Sequence, residues 1–503
     1  MTSVFDLLIN TEKKYSDRVA LKDETGSVTY SELLKSSYSI AGSIQSFIGD
    51  SKSNLIFIVT SKAARSIVAI WGVIASGNYY ACIDDKSSPE RVKYLIEKMK
   101  PSLIIDASEE GKFEAPVQSV NVVNMDECLK KDANVTLPTL ISTDPLYMVF
   151  TSGSTGYPKA IIKNHSSILA FADSFVNEFG LSDSVNEVFG NQASYDYDVS
   201  AKDIFISVYL GATLCIIPNK YFIAPAKLAQ YMADNNVSIL IWAASAIKFI
   251  EKFNCFGKVV PESIKHVFFS GEPMTVKCME YWSKLLPGSD FYNLYAPSEV
   301  TGNCLYYKYA GNETSSHLPL DKTFPNAEVL FLTEDGKRAG NGEKGEAYVR
   351  GAFLAQGYYQ DPEQTREKFV QNPLHDLYPD IVYRTGDYFL MEGNKYIFSG
   401  RVDNQIKHMG HRIELEEIEA SILKCLNNPE FCILYDREKE NIILLSADKN
   451  LDFKSLLIEL RSFLPKYMLP FRAVIAESIP MNARGKVDRS AAYALYKELT
   501  QDE

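Results

Sequence analysis

The fold class is set by residues 54–107, which read NLIFIVTSKAARSIVAIWGVIASGNYYACIDDKSSPERVKYLIEKMKPSLIIDA. Short apolar runs at 54–60, 79–84 and 102–107 alternate with two stretches of helical spacing. The first helix is predicted to end near Gly77, and the second begins at Ser88-Pro89 and stops at Pro101. This alternation is typical of a parallel sheet with helices on both faces. We therefore predict an α/β protein.

The same pattern recurs downstream and then changes character twice. Residues 200–218 and 225–245 each read as a helix followed by a strand. From about residue 320 the chain has short strands separated by turn signals, which predicts a β-rich subdomain at about 320–400. After Asp403 the pattern is that of a compact α+β unit. We predict a large N-terminal domain of parallel α/β sheets plus the β-rich subdomain, residues 1–402, and a small α+β C-terminal domain, residues 403–503.

Composition excludes several classes of function. The 503 residues carry 52 basic and 64 acidic side chains, a net charge of −12, which argues against nucleic acid as the main partner. The most apolar stretch, SIVAIWGVIASG at 66–77, is too short to span a bilayer, so no membrane partner is expected. The eight cysteines form no CxxC pair and are widely scattered, which predicts a reduced, cytoplasmic protein.

The sharpest chemical signal is YMVFTSGSTGYPKAIIKNH at 147–165. A predicted strand leads into a loop of glycines and small hydroxyl residues, with Lys159 just beyond it. Such a loop lets backbone N–H groups and hydroxyls approach phosphate oxygens closely. It lacks the GxxxxGK[ST] pattern of a Walker loop. We predict a phosphate-binding loop of another kind.

This loop resembles that of the adenylate-forming enzymes, which include acyl-CoA synthetases, luciferases and the adenylation domains of nonribosomal peptide synthetases. Further blocks resemble that family in order along the chain: VTYSEL (28–33), NLYAPSE (293–299), GYYQDPEQTREKF (357–369), YRTGD (383–387), GRVDNQIKHMGHRIELEEIE (400–419), LPKYMLP (464–470) and NARGKVDR (482–489). Standalone D-alanine–carrier protein ligases are similar in length and in the IPMN segment at 479–482. The resemblance covers nearly the whole chain.

The resemblance implies a nucleotide site. The residues expected to bind ATP are Thr151, Ser152, Gly153, Ser154, Thr155, Gly156, Lys159, Gly271, Glu272, Pro273, Asn293, Leu294, Tyr295, Ala296, Asp387, Arg401 and Lys486. Within this set Asn293 and Tyr295 would contact adenine, and Asp387 would accept the ribose hydroxyls. The family usually has Gly where this chain has Ala296, a change that is costly only if the position needs a positive φ.

The resemblance also implies the catalytic groups. Glu299 would hold Mg²⁺, a hard cation that prefers carboxylate oxygen, and Ser298 would touch a phosphate. Lys486 would bridge the substrate carboxylate and the α-phosphate, and so neutralise charge as pyrophosphate leaves. The C-terminal domain is expected to be mobile, with its hinge at Asp403. In the thioester step a loop of Lys407, His408, Met409 and Gly410 would replace Lys486.

Residues 194–205, SYDYDVSAKDIF, indicate the class of acid. Amino-acid-activating members carry aromatic-Asp-x-Ser here, and the Asp pairs with the substrate ammonium, a charge that is costly to bury alone. Asp198 fits this pattern better than its competitor Asp196. Lys202 could favour an acidic or amide side chain, or it could snorkel outward and leave a small pocket. Phe268 and Leu294 are expected to narrow the pocket and Gly302 to widen it; its predicted lining is Val199, Lys202, Ile241, Phe268, Ser270, Leu294, Gly302 and Asn303.

The expected activity is ATP-dependent formation of an aminoacyl-AMP and its transfer to the phosphopantetheine thiol of a separate carrier protein. The sequence stops 17 residues after Lys486, so we expect the carrier to be a separate protein and not a fused domain. The family implies a monomer with ATP and Mg²⁺. An acyl- or aryl-CoA synthetase that uses coenzyme A is the alternative, and Asp198 speaks against it. A nucleotide-binding protein without catalysis is a third reading, and the presence of Glu299, Asp387 and Lys486 together argues against it.

Overall fold

The computed structural model describes residues 2–131, 135–151, 158–426, 430–481 and 487–501. In this part of the chain no helix is both long and apolar enough to cross a membrane. The helices are α1 (Phe5–Tyr15), α2 (Tyr30–Ile48), α3 (Ala64–Ala75), α4 (Pro89–Met99), α5 (Met125–Cys128), α6 (His165–Glu178), α7 (Val199–Leu210), α8 (Pro225–Asp234), α9 (Ala244–Lys252), α10 (Val276–Leu285), α11 (Pro362–Lys368), α12 (Leu415–Cys425), α13 (Phe453–Leu460) and α14 (Arg489–Leu499). Short 3-10 turns occupy Ser184–Asn186, Asn219–Ile223 and Lys466–Met468.

The chain divides into two compact units. The first comprises Met1–Asp85, Met99–Phe150 and Ala160–Val402, and the second comprises Lys86–Lys98, Thr151–Lys159 and Asp403–Glu503. The α/β class predicted from the alternating pattern is confirmed. The assignment of a catalytic core to residues 1–402 and of a moving domain to 403–503 stays a prediction.

Sheet I of the first unit has a parallel centre and antiparallel edges. Its strand order is β15-β14-β13-β12-β11-β9-β10-β1-β2, and β1 and β9 to β13 pair in parallel wherever they adjoin. The strands are β1 (Val19–Lys22), β2 (Ser27–Thr29), β9 (Val188–Asn191), β10 (Thr213–Ile216), β11 (Ile239–Ala243), β12 (His266–Ser270), β13 (Asp290–Tyr295), β14 (Leu305–Lys308) and β15 (Lys322–Thr323).

Sheet II contains the strands of residues 54–107, the stretch from which the α/β class was predicted. Its order is β18-β8-β7-β4-β3-β5-β6, and the pattern strand, helix, strand, helix, strand becomes β3, α3, β4, α4 and β5. All six residues of β3 are buried, as expected for a strand covered on both faces. The strands are β3 (Leu55–Thr60), β4 (Tyr79–Asp84), β5 (Leu103–Ala107), β6 (Val122–Asn124), β7 (Pro145–Thr151), β8 (Lys159–Asn164) and β18 (Gly357–Tyr358).

Sheet III is the β-rich part of the first unit. Antiparallel strands run in the order β16-β17-β20-β19, and β21 pairs with β20. They are β16 (Ala327–Leu332), β17 (Lys344–Gly351), β19 (Phe369–Gln371), β20 (Ile381–Glu392) and β21 (Lys395–Arg401). The register places Asp387 opposite Arg401, so two residues of separate sequence motifs meet on neighbouring strands.

The second unit has two small sheets and its own apolar clusters. The hairpin of β22 (Gln405–His408) and β23 (His411–Glu414) precedes α12, and β24 (Phe431–Asp436), β25 (Asn441–Ser446) and β26 (Arg472–Ile475) form a three-stranded sheet. One cluster joins α12 and α13 to this sheet, and another includes Tyr496 of α14. Arg489 of α14 donates to Glu419 of α12 over 2.7 Å.

Candidate active site

Several predicted site residues lie where parallel strands of Sheet I end. Ser270 is the last residue of β12 and Tyr295 is the last of β13, and Ser270 pairs in register with Leu294. The carboxyl ends of parallel strands share one edge of a sheet, and α/β proteins bind ligands outside that edge. Asn303 comes shortly after Tyr295 in the sequence. The fold therefore gathers these side chains without a dedicated domain.

The three expected nucleotide residues Tyr295, Asp387 and Arg401 form one connected group. The Tyr295 hydroxyl donates to Oδ2 of Asp387 over 2.6 Å, and Arg401 Nη1 donates to Oδ1 over 2.5 Å. Asp387 is almost completely buried. Burial, with the Asp387 charge next, raises the pKa of Tyr295 well above its ordinary value, so the phenol stays protonated and donates. A buried carboxylate with its orientation set in this way is suited to accept ribose hydroxyls.

Asn293 and Tyr295, the expected adenine contacts, are both buried. Asn293 donates through Nδ2 to the carbonyl of Pro319 over 3.0 Å, which orients its amide. Ala296 is not among the described residues with a positive φ, so the replacement of the usual glycine carries no backbone strain there. Gly271 has φ +109, and Glu272 beside it pairs with Lys248 over 3.1 Å. Pro273 is exposed.

The phosphate loop is only partly within the described residues. Ser152, Gly153, Ser154, Thr155, Gly156 and Lys486 lie outside them. Thr151, the last residue of β7, has a buried Oγ1 that bonds to nothing among the described residues. A buried hydroxyl without a partner is rare and calls for one, and a phosphate oxygen suits it. Lys159 and Ser298 are both half-buried.

Glu299 is a completely buried acid that a tyrosine holds in place. The Tyr358 hydroxyl donates to Oε1 of Glu299 over 2.6 Å. No cluster of three or more His, Cys, Asp or Glu side chains able to hold a metal occurs in the described ranges. Mg²⁺ commonly takes only one or two carboxylates, with phosphate oxygens and water as its other ligands. Glu299 therefore fits a magnesium bound together with ATP.

Asp198 stands at the position before α7, where an aspartate would ordinarily cap the helix. Its side chain makes no cap hydrogen bond. Instead its two oxygens accept from the Tyr147 hydroxyl over 2.9 Å and from Lys163 Nζ over 3.4 Å. Asp196 is exposed, whereas Asp198 is half-buried. The carboxylate of Asp198 is thus directed to tertiary partners.

Lys163 and Tyr147 are the residues that sequence reasoning missed. Both fall inside the quoted stretch 147–165, but they read there as part of strands that flank a loop. The signal was a lysine in an otherwise apolar alternation, AIIKNH at 160–165. A lysine at a core-facing strand position needs a buried partner. Asp198, 35 residues away in sequence, supplies it.

Lys202 points inward. It is 5% exposed, and its Nζ donates to Asn303 Oδ1 over 2.9 Å and to Ser270 Oγ over 3.2 Å. The snorkelling alternative is therefore wrong, because the ammonium group lies on buried neutral oxygens. Three of the predicted pocket residues form one polar cluster, and Lys202 is one helical turn beyond Asp198 on α7.

The remaining predicted lining is apolar and packed. Val199, Ile241, Phe268 and Leu294 are buried, and Phe268 stacks on Tyr292 with 4.8 Å between ring centroids. Gly302 does not open the pocket as expected. A Cβ built there would lie 2.3 Å from the Phe171 ring, so that ring fills the space a side chain would take. Its φ of +73 is a second reason for glycine.

The expected thioester loop is the turn of the β22–β23 hairpin. Met409 has φ +52 and is 62% exposed, and Gly410 has φ +82, which fits the two left-handed positions of a tight hairpin turn. Lys407 and His408 are the last residues of β22. Asp403, the expected hinge, accepts through Oδ1 from the backbone N–H of Gln405 over 3.3 Å.

Residues 9–359 match the AMP-binding enzyme family, and this chain belongs to that family. The resemblance to adenylate-forming enzymes is thereby confirmed. The chain is 27% identical to zwittermicin A synthase ZmaJ of Bacillus cereus over 94% of its length and 91% of that protein. It is 28% identical to the D-alanine–D-alanyl carrier protein ligase of Bacillus licheniformis over 96% of its length and 98% of that protein.

A solved structure has the same fold. Holo-PA1221, described as a nonribosomal peptide synthetase protein with adenylation and carrier (PCP) domains, superposes with a TM-score of 0.84. The alignment covers 100% of this chain and 88% of that one at 23% identity. At that identity the likeness establishes the fold.

Proposed function

We propose that this enzyme activates an amino acid with ATP and Mg²⁺ as an aminoacyl-AMP, and then passes the aminoacyl group to the phosphopantetheine thiol of a separate carrier protein. In the first step a carboxylate oxygen of the amino acid attacks the α-phosphorus and pyrophosphate leaves. In the second step the thiol sulfur attacks the acyl carbon, loses its proton and releases AMP. Family membership and the likeness to a D-alanine–D-alanyl carrier protein ligase support this reaction.

The observation that carries the choice of an amino acid is Asp198. This carboxylate makes no cap hydrogen bond to α7. Instead it accepts hydrogen bonds from Tyr147 and Lys163, beside the pocket residues. An ammonium group buried in this pocket needs such an anion. Acyl and aryl acids would leave it without a ligand partner, so a coenzyme A ligase of such acids is less well supported.

The nucleotide would bind through Asp387, Tyr295 and Arg401, with Glu299 holding the magnesium ion. Lys486 would stabilise charge at the α-phosphate, and Ser152–Gly156 would surround the phosphates. Asp403 would be the hinge and Lys407–Gly410 the thioester loop. The protein would act as a monomer in the cytoplasm. All eight cysteines, each within the described residues, are free, and a reducing compartment suits them.

The side chain of the substrate carries an oxygen acceptor in this proposal. Lys202 presents a buried ammonium that donates to Asn303 and Ser270, and an aliphatic substrate side chain beside it would offer no acceptor atom. A carboxylate or carboxamide would accept from it. Aspartate, asparagine, glutamate and glutamine are therefore the favoured candidates.

ATP–pyrophosphate exchange tests both parts of the proposal. A panel of both enantiomers of the proteinogenic amino acids, with β-amino and aryl acids, should show exchange with an amino acid whose side chain bears an acceptor oxygen. Lys202→Met should lower kcat/KM for that acid about tenfold or more, compared with its effect on kcat/KM for norvaline, whose side chain is aliphatic. The reason is that a charge-assisted hydrogen bond contributes about 1.5–3 kcal/mol. Lys308→Met, at a lysine 52% exposed beside Asp290, is the control.

Three outcomes would contradict the proposal. If no acid in the panel supports exchange, the proposed adenylation function is wrong. If the enzyme prefers a small aliphatic amino acid and Lys202→Met does not change that preference, only the proposed class of substrate side chain is wrong. Thioester formation on coenzyme A and not on a phosphopantetheinylated carrier would replace the acceptor.

A further inference from the structure

The carboxylate expected to anchor the substrate ammonium already has a cation of the protein beside it. Lys163 Nζ lies 3.4 Å from Asp198 Oδ2, and the Lys163 side chain is completely buried. The Asp198 side chain retains 17% exposure, so it lies closer to solvent and ligand than its partner does. The pair is therefore asymmetric, with the lysine behind the carboxylate.

Lys163 is held in place by the elements around it. It lies on β8, where Ile161 and Ile162 pair with Tyr358 and Gly357 of β18, so the strand is fixed between neighbours. Its Nζ is 6.0 Å from the centroid of the Tyr147 ring, at cation–π distance. Burial lowers the pKa of Lys163, and the Asp198 and Glu299 charges oppose that shift. A side chain buried to this degree cannot turn to solvent and leave Asp198.

A fixed cation changes what Asp198 offers to a ligand. Alone, the carboxylate would present a full negative charge to the substrate, and a buried charge interacts strongly with an opposite one. Because Lys163 donates to one oxygen of Asp198 and Tyr147 to the other, much of the negative charge of the carboxylate is already balanced within the protein. A substrate ammonium must then share the carboxylate with a second cation. A neutral hydroxyl donor suffers no such repulsion.

We propose that Lys163 is the permanent counter-ion of Asp198 and acts as a positioning residue. By balancing the Asp198 charge, it weakens the preference of the substrate site for an ammonium group over a hydroxyl group. This inference rests on the proposed adenylation function. It extends the substrate class from amino acids to the matching 2-hydroxy acids. Such acids keep the carboxylate that reacts with ATP, and they replace only the group that faces Asp198.

The test compares amino acids with their hydroxy analogues in ATP–pyrophosphate exchange. The probe pairs are alanine and lactate, serine and glycerate, and aspartate and malate. For the pair that reacts best, Lys163→Gln should raise the amino-to-hydroxy ratio of kcat/KM about tenfold, because the ammonium no longer meets a second cation. Lys265→Gln removes an exposed lysine paired with Glu187 and should leave the ratio unchanged.

A second substitution separates charge from packing. Lys163→Met keeps an unbranched chain in the buried position and should raise the ratio in the same way, with the melting temperature checking that each variant is folded. In an Asp198→Asn background, Lys163→Gln should have no effect on the ratio, because the carboxylate it balances is gone. An unchanged or lower ratio in both Lys163 variants would overturn the inference. Absence of exchange with every acid would instead overturn the proposed function.

Discussion

At the scale of single residues, the site is governed by buried polar groups that are held by other side chains. Asp387, Glu299 and Lys202 are all buried, and each bonds to a hydroxyl, amide or guanidinium group of the protein. Satisfied in this way, a buried polar group costs far less free energy than an unpaired one. It also keeps one orientation, which the proposed binding of ATP and of the acid requires.

A buried histidine gives a prediction at this scale. His165 is 1% exposed, and its Nδ1 accepts from the backbone N–H of Val4 over 3.0 Å. Burial lowers its pKa from 6.5 to about 4, against smaller opposing effects of Asp144 and Asp6. Because the unfolded chain binds a proton at a higher pH than the folded one, the stability from neutral His165 is complete above pH 6.5. It is lost as the pH falls towards 4.

Between pH 6.5 and pH 5 this group alone should lower the free energy of unfolding by about 2 kcal/mol. His165→Asn keeps an acceptor for Val4 and removes the titration. Urea unfolding of both proteins across this range should give a smaller decline for the variant, and parallel declines would show that His165 does not contribute.

At the scale of elements, strand ends and helix starts bring distant motifs together. The carboxyl ends of β12 and β13 place Ser270 and Tyr295 on one edge of Sheet I, and the start of α7 supplies Asp198 and Lys202. The β20–β21 register places Asp387 beside Arg401. Each element is ordinary by itself, and the site arises from where the elements end.

Gly302 allows a prediction about the segment that follows β13. It has φ +73, and a Cβ would lie 2.3 Å from the Phe171 ring. Gly311 has a similar φ of +79, but a Cβ at that position would have no atom within 4 Å. Gly311→Ala should cost about 1 kcal/mol of stability from backbone strain alone, and Gly302→Ala should cost about 1–3 kcal/mol more because Phe171 must move.

Thermal melting of the two glycine variants measures the difference. Equal losses would show that the Phe171 contact has no energetic weight. A Gly302→Ala variant that melts like the wild type and only excludes larger acids would restore the reading of Gly302 as a residue that widens the pocket.

At the scale of the whole molecule, the chain forms two compact units, and the second has apolar clusters of its own. Arg489 bonds Glu419 over 2.7 Å and the carbonyl of Ile433 over 2.6 Å, so α14 is tied to both α12 and β24. A unit with its own core can move as one body. The proposal that one site serves two reactions in turn requires a unit of this kind.

Lys486→Ala tests this division of labour. Lys486 is expected to act in adenylation and to be replaced by Lys407–Gly410 in the thioester step. The variant should lose pyrophosphate exchange by about 100-fold or more, since it removes charge stabilisation at the α-phosphate. It should largely keep transfer to the carrier from a supplied aminoacyl-adenylate. Equal loss of both half-reactions would contradict separate roles.

The sequence by itself determined the α/β class and the family. Alternating strand and helix periods need no tertiary information, and motifs such as TSGSTG and YRTGD carry their chemistry in adjacent residues. Most residues proposed for the nucleotide site could be named from these motifs, because each motif keeps its side chains on one short segment.

Only the tertiary structure decided which side chains meet. Tyr295 and Asp387 are 92 residues apart, Glu299 and Tyr358 are 59 apart, and Lys163 and Asp198 are 35 apart. It also decided that Lys202 points inward and that Phe171 fills the space beside Gly302. Periodicity reports which face a residue occupies, whereas burial beside a particular partner depends on how separate elements pack. The pairing of Asp198 with Lys163 therefore appears only once β8 and the start of α7 lie side by side.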